Sequence, residues 1–149
     1  MSSPADIATQ CVNDILARAK ATGKFGAKGD EKVFFVYAEE DLFNKAKLVK
    51  FPAVGIMYEG IRSNGKDSGT GMASDCYVAI AVLVNAGSIG AADQKNEAAS
   101  ILDALRDGIK LSKAPSSHKW KFVSETPAGE INGALVYVQR WSCPVILTN

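Results

Sequence analysis

The chain of 149 residues lacks the long apolar runs and the charge excess that mark membrane proteins and nucleic-acid binders. Its richest apolar run, residues 76–84, stops at Asn85, well short of the roughly 18 residues that a bilayer span needs. Seventeen basic and sixteen acidic residues leave a net charge of +1, too small for a dedicated binder of duplex DNA. The first residues show no basic segment before an apolar one, so we expect no secretory signal. We therefore predict neither a membrane nor a specific nucleic acid as a direct partner.

Cysteine and histidine are also scarce, with three and one in the chain. Cys11, Cys76 and Cys143 are odd in number, widely spaced and each set in an apolar pattern. This arrangement predicts reduced, buried thiols in a cytosol-like compartment rather than a disulfide framework. His118 has no cysteine or acid at metal-ligand spacing, so we expect a surface loop there and no metal site.

The signatures of catalysis are incomplete. Residues 60–67 follow a predicted strand and copy the spacing of a phosphate-binding loop as far as Lys66. Asp67 then stands where a Ser or Thr hydroxyl must hold magnesium, and a loop continues where the motif needs a helix. Neither a zinc-protease signature nor a nucleophile elbow occurs. We predict no catalytic residue and no cofactor.

What the chain does contain is an alternation of helical and strand patterns. Apolar side chains every four residues from position 7 to position 19 predict an opening helix, and residues 76–84, apolar on both faces, predict a central strand. Residues 60–74 are rich in Gly, Ser and Asn and predict a long hairpin loop. The predicted order is a helix from residue 4, strand 33–37, a short helix after residue 39, strands 52–59 and 76–84, helix 92–110, strand 119–124, a turn at 127–133 and strand 134–147.

This order predicts a single α+β domain over residues 1–149. Strands joined by turns pair antiparallel, and amphipathic helices cover one sheet face. We therefore expect a mainly antiparallel sheet of about four to five strands packed against two main helices. In the last strand, Leu135, Tyr137 and Trp141 share one face, and Pro144 indicates that this strand reaches a sheet edge.

Two local charge clusters are candidate contact surfaces. The basic cluster consists of Lys110, Lys113, Lys119 and Lys121, with His118 among them. The acidic cluster consists of Glu39, Glu40 and Asp41. Each also has a purely structural explanation, because acids favour the start of a helix and lysines its end. As contact surfaces, the two clusters can pair between subunits.

Taken together, the chain resembles the tail-terminator, or tail-completion, proteins of long-tailed bacteriophages. The resemblance covers most of the length and lies in the order, size and texture of the segments. Its carriers are the opening amphipathic helix, the sequence Phe51-Pro52-Ala53-Val54-Gly55-Ile56 entering a strand, the long polar loop, the strand at 77–82, the helix at 101–107 and the ending at 134–145.

The resemblance implies a homohexameric ring at the head-proximal end of the tail tube. Such a ring stops tube polymerisation, contacts the last sheath layer in contractile tails and offers a docking surface to the neck or connector. The expected partners are the chain itself, the tail-tube protein, the neck protein and, in contractile tails, the sheath protein. The expected location is the tail-neck junction of a virion that is assembled in the host cytoplasm. The family supplies no catalytic residues, so the protein is expected not to be an enzyme.

The interface residues are hypotheses from the sequence. A long polar loop is costly to order unless it binds something, so we expect its tip to contact a neighbouring subunit or the tube. The candidates are Arg62, Asn64, Lys66 and Asp67 in the loop, Glu39, Glu40 and Asp41 in the acidic cluster, and Lys113, Lys119 and Lys121 in the basic cluster. Two alternatives stay open, namely another neck or tail-tube component, and a small-ligand-binding or enzymatic α+β domain.

Overall fold

A computed structural model describes residues 4–25, 32–46, 51–65, 71–85, 90–110, 112–131 and 133–147. Within these residues, one five-stranded mixed sheet and three helices confirm the predicted α+β fold. The elements in chain order are α1 (Pro4–Ala21), β1 (Val33–Val36), α2 (Glu39–Ala46), β2 (Ala53–Ser63), β3 (Met72–Asn85), α3 (Gly90–Ile109), β4 (Lys121–Ile131) and β5 (Ala134–Leu147).

The sheet has the strand order β1-β2-β3-β5-β4, with β3 at its centre. The β1–β2 pair is parallel, and the other three pairs are antiparallel, as the turn-linked sequence order predicts. Ile80, on one face of β3, and Leu83, on the other, are both fully buried. Apolar side chains on both faces suit a strand that is covered on both sides, so the prediction of a central strand is confirmed.

Two helices cover one face of the sheet. Helix α1 buries the predicted stripe with its four-residue spacing, including Cys11 and Ile15. Helix α3 buries Leu105 and Ile109 in the same core. The predicted aromatic face of β5 points into this layer, with Trp141 buried. Burying the apolar stripe of each helix against the sheet is the main driving force for this layer.

Small side chains line the part of the other sheet face that lies next to the short helix. Ala79 and Ala81 of β3 pack there with Leu42 of α2 and with Val36 of β1. Gly55 of β2 lies directly beneath this group, and a Cβ atom at that position would lie 2.7 Å from Cγ2 of Val36. The short helix α2 therefore approaches the sheet where the strand side chains leave room for it.

A buried polar network joins α3 to the β4–β5 hairpin. Gln139 of β5 is completely buried, and its Oε1 accepts a hydrogen bond from Trp141 Nε1 at 2.7 Å. Its Nε2 donates to Glu125 Oε1 of β4 at 2.8 Å and to the Leu102 carbonyl of α3 at 3.3 Å. Arg106 of α3 also donates to Glu125. Each buried polar group of the glutamine is thus paired, as a stable interior requires.

Three segments differ from the sequence prediction. Strands β2 and β3 extend to Ser63 and from Met72, so the polar loop is shorter than residues 60–74. Strand β4 continues to Ile131 through the predicted turn at 127–133. This strand lies at the sheet edge, where Pro127 is tolerated because its missing N–H is not needed by a second neighbour. The turn is made instead next to Gly133, which has a φ of 82°.

The last strand reaches a sheet edge near its end, as Pro144 indicates. The β4–β5 pairing begins at Lys121 and Ser142, while β5 continues along β3 to Leu147. In the described part of the chain, β5 therefore has a strand on one side only beyond Ser142. Among these same residues, no helix is long and apolar enough to cross a membrane.

We predict that Gly55→Ala lowers the free energy of unfolding by about 1–3 kcal/mol, because the added methyl group overpacks the contact with Val36. Gly108→Ala is the matched control. Its Cβ meets nothing closer than Thr22 Cγ2 at 4.0 Å, so the helical preference of Ala should raise the stability by about 0.5–1 kcal/mol. Urea denaturation measures both changes, and equal stabilities of the two variants would contradict the close packing.

We also predict that Gln139→Leu destabilises the protein by about 2–4 kcal/mol, because it leaves the Trp141 N–H and the Leu102 carbonyl without their buried partner. Glu130→Gln, at an exposed position of β4, should change the stability by less than about 0.5 kcal/mol. Thermal denaturation of both variants is the measurement. A loss below about 1 kcal/mol for Gln139→Leu would show that the network contributes little to stability.

Candidate functional site

The predicted site residues that the structure describes lie at one end of the sheet. Strands β1, β2 and β5 run in one direction, and β3 and β4 run in the other. The residues after β1, the residues after β2 and the residues before β4 therefore meet at the same end. We call this the loop end, because the β2–β3 connection lies there. Lys66 and Asp67 of that connection lie outside the described residues.

The acidic cluster follows β1 at one edge of the sheet. Glu39 begins α2, and Glu40 is exposed on its first turn. Asp41 Oδ2 accepts hydrogen bonds from the backbone N–H groups of Tyr37 at 3.1 Å and Ala38 at 3.3 Å. The carboxylate of Asp41 thus fixes the start of the helix while adding its negative charge to the surface.

The basic cluster precedes β4 at the opposite edge. Lys113 and Lys119 face each other in an isolated bridge, and the Ala114 N–H donates to the His118 carbonyl at 2.8 Å. This small hairpin exposes Lys113, Lys119 and Lys121. Among the described residues, none of these three amino groups has an acidic partner within ion-pair distance. Lys110, by contrast, lies 3.3 Å from Asp107 in its own helix.

Helix α1 holds the basic hairpin in place. Asp14 Oδ2 accepts hydrogen bonds from Trp120 Nε1 at 2.8 Å and from Arg18 Nε at 2.9 Å. The same arginine donates to the Lys113 carbonyl at 2.9 Å. A part-buried carboxylate with two donors, one of them charged, is a firm anchor. The lysines therefore project from a fixed hairpin rather than from a free loop.

The β2–β3 connection lies between the two clusters. Asn64 continues the ladder, because its N–H donates to the Ala73 carbonyl at 3.1 Å. The Arg62 guanidinium stacks 4.5 Å from the centre of the Tyr77 ring on β3, so Arg62 belongs to the strand pair and not to the tip of the loop. Its charge is nevertheless exposed at the loop end.

The two charge clusters cannot meet within one molecule. Four interstrand spacings separate β1 from β4, which is about 19 Å for a five-stranded sheet. The clusters carry opposite charge, lie at the same end of the sheet and flank opposite edges. This arrangement offers each cluster to a different neighbour.

An aromatic groove beside β1 was not anticipated as a site. It has a volume of about 390 Å³ and lies between α1 and the first two strands, lined by Phe35, Tyr37 and Tyr58. Tyr37 is 83% exposed and packs edge-on against Phe35 with 4.4 Å between ring centres. A smaller concavity of about 260 Å³ shares these two rings and reaches Asp41 of α2. The alternation of side-chain directions in residues 33–37 places Phe35 and Tyr37 on one face of the strand. This pattern is the sequence signal from which the groove could have been predicted.

The three cysteines, though far apart in sequence, come together in the helix-facing core. Cys76 and Cys143 are opposite each other in the β3–β5 register, and Cys11 Sγ lies 3.7 Å from Cys143 Sγ. All three are free and buried, as predicted. The contact with Cys11, followed by burial, raises the pKa of the Cys143 thiol to about 12. Buried thiols with raised pKa values are poor nucleophiles.

Comparisons with known proteins give no family. No family model matches the chain. No curated protein matches it either. Solved structures do match, among them a chain in the virion of a native gene transfer agent particle. That likeness has a TM-score of 0.46 and 12% identity, and it covers 88% of this chain and 93% of the other. At this TM-score, it is too loose to carry an argument about the function of this chain.

We predict that the folded protein resists thiol reagents at pH 8, because a rise in the Cys143 pKa from 9.0 to about 12 lowers its thiolate fraction about a thousandfold. All three thiols should react at once in denaturant. The raised pKa also adds stability below pH 9 that is lost progressively as the pH rises from 9 towards 12. Thiol titration and denaturation across this range check both statements, and fast labelling of the native protein would contradict them.

Proposed function

We propose that the protein is the subunit of a closed ring of about six copies that caps the head-proximal end of a phage tail tube. The observation that carries the ring is the position of the two charge clusters. Cyclic symmetry needs two different patches on each subunit, placed on opposite sides. Cyclic symmetry also keeps each residue at the same height along the ring axis in all copies. Two patches that contact each other must therefore lie at similar heights on the subunit. The acidic and basic clusters lie at opposite edges and at the same end of the sheet, and this supports the proposal.

The role at the tail is supported by the resemblance in segment order. The structure has the helix, strand, short helix, two strands, helix and two strands on which that resemblance rests. In the proposed assembly, the ring stops polymerisation of the tube, offers a surface to the neck and contacts the sheath where the tail is contractile. We also propose that the β2–β3 connection, through Arg62, Asn64, Lys66 and Asp67, contacts the tube or a neighbouring subunit. Such a protein acts by recognition and is not an enzyme.

We expect the purified protein to form rings of about six subunits, because the opposed patches favour a closed head-to-tail contact. Light scattering gives the mass, and negative-stain electron microscopy gives the shape. Mixed with the tail-tube protein of the same phage, the rings should bind one end of each tube and limit its length. Open filaments of this protein alone would indicate a tube subunit. A saturable small ligand with no assembly on tubes would indicate the binding-domain alternative.

Charge reversal tests whether the two clusters pair. Lys121→Glu should weaken each contact by about 1 kcal/mol, or about fivefold, and Glu40→Lys in the same chain should restore it. Glu130→Lys, at an exposed position of β4 far from the loop end, is the control and should leave the ring intact. Rings that are indifferent to all three changes would rule out pairing of the clusters.

A further inference from the structure

Strand β4 exposes two large apolar side chains beside the basic cluster. Phe122 is 48% exposed and Val123 is 45% exposed. The register shifts between Phe122 and Ser124, so Val123 is the extra residue of a bulge and both side chains lie opposite the same part of β5. Exposed apolar residues on a sheet edge favour association, and neighbouring exposed apolar side chains mark candidate contact surfaces.

These side chains lie level with the aromatic groove. Phe122 is paired with Trp141, Trp141 with Val78, and Val78 with Tyr58, so one row crosses the sheet from β4 to β2. At both ends of this row, the side chains lie on the sheet face that the helices α1 and α3 cover. Phe122 packs edge-on against the buried Trp141 at 5.5 Å, and Tyr58 lines the groove together with α1. A ring axis along the strands would bring the Phe122 of one copy to the groove of the next.

The surrounding charges favour the same match. Lys119 and Lys121 precede Phe122, and Glu40 and Asp41 follow the groove residue Tyr37. Within the described residues of α2, the positive charge comes from Lys45, whose Nζ lies 5.9 Å from the centre of the Phe34 ring. Glu40 and Asp41 outnumber this lysine within the described part of α2, so the described charges beside the groove are complementary to Lys119 and Lys121.

The edge of β4 is unsuited to simple strand addition. Its first register shift follows Phe122, its second lies between Pro127 and Glu130, and Pro127 has no N–H to donate. Bulges and proline on an edge strand prevent another strand from continuing the ladder. A neighbour must therefore recognise the side chains of β4 rather than its backbone.

From these observations, we infer that Phe122 and Val123 of one copy dock into the groove of Phe35, Tyr37 and Tyr58 of the next copy. The inference rests on the proposed ring and names the contact that closes it. The occupant of the groove is a second copy of this chain, with Lys119 and Lys121 facing the start of α2. Burial of the Phe122 and Tyr37 rings supplies the affinity, and the charges fix the orientation.

Cross-linking between single-cysteine variants tests this geometry in the full chain. Lys121→Cys is mixed with Ala38→Cys and treated with a short bismaleimide, while the three native thiols stay buried. Both positions are exposed and adjacent to the contact, so the Phe122 and Tyr37 rings remain in place. A covalent dimer is expected in the mixture and in neither variant alone, and the double variant should give a ladder ending at the ring size. Glu130→Cys mixed with Ala38→Cys is the control at the far end of β4, and it should not cross-link.

The possible outcomes test the docking contact and the proposed ring of subunits separately. Dimers of Lys121→Cys alone would indicate a two-fold contact and overturn the inference. Absence of the mixed dimer would overturn it too, and rings still visible by electron microscopy would then leave the proposed function standing. Mixed dimers without rings or tube capping would support the docking and refute the ring.

Substitution of the groove gives an independent readout. Tyr37→Asp introduces a charge at a side chain that is 83% exposed, so the fold should be retained, while the dissociation constant of the subunits should rise at least tenfold. Tyr37→Phe keeps the aromatic side chain, so this variant should assemble as the original chain does. Val123→Asp should act like Tyr37→Asp, and unchanged circular dichroism in each variant excludes unfolding. Normal assembly of both aspartate variants would overturn the inference. If the two substitutions abolished binding of a small ligand and left assembly unchanged, the groove would have a different occupant.

Discussion

Burial of β3 on both faces is the constraint on which the rest of the structure depends. Its apolar side chains alternate with almost no polar interruption from Cys76 to Val84, so each face must be covered. Helices α1 and α3 cover one face, and α2 packs over small side chains on the other. The strand also needs a partner at each side, and β2 and β5 fill these places. The edge positions are then left to β1 and β4.

This arrangement determines which charged residues lie at the two edges of the sheet. Because β1 and β4 run in opposite directions, the residues that follow one and precede the other reach the same end of the sheet. The sequence places acids after β1 and lysines before β4, far apart in the chain. The antiparallel pairings in the middle of the sheet thus bring two distant sequence clusters of opposite charge to the same end of the sheet. The hydrogen bond from Trp120 to Asp14 also fixes the basic hairpin on α1.

Local periodicity predicted the elements but not their register. The four-residue stripe of α1 and the doubly apolar β3 are properties of single segments, and both were predictable. Whether β4 stops before Pro127 depends on its pairing with Tyr137, a contact across a hairpin that no local pattern specifies. The alignment of Phe122 with Tyr58 needs three successive strand pairings, and the meeting of Cys11 with Cys143 needs a helix-on-sheet contact. The site is therefore less predictable than the fold.

The form of the β4 edge bears on why an association would stop at a ring. Unprotected edge strands pair with any other edge through the backbone, which is indifferent to sequence and has no natural end. The bulge at Val123 and the proline at position 127 remove that option. What remains is contact through particular side chains and charges, and such a contact fixes the angle between neighbours. A fixed angle closes a ring when it divides the circle, whereas sheet continuation favours open growth. In the proposed role at the end of a tail tube, such an interface has the advantage that it cannot itself continue as a sheet.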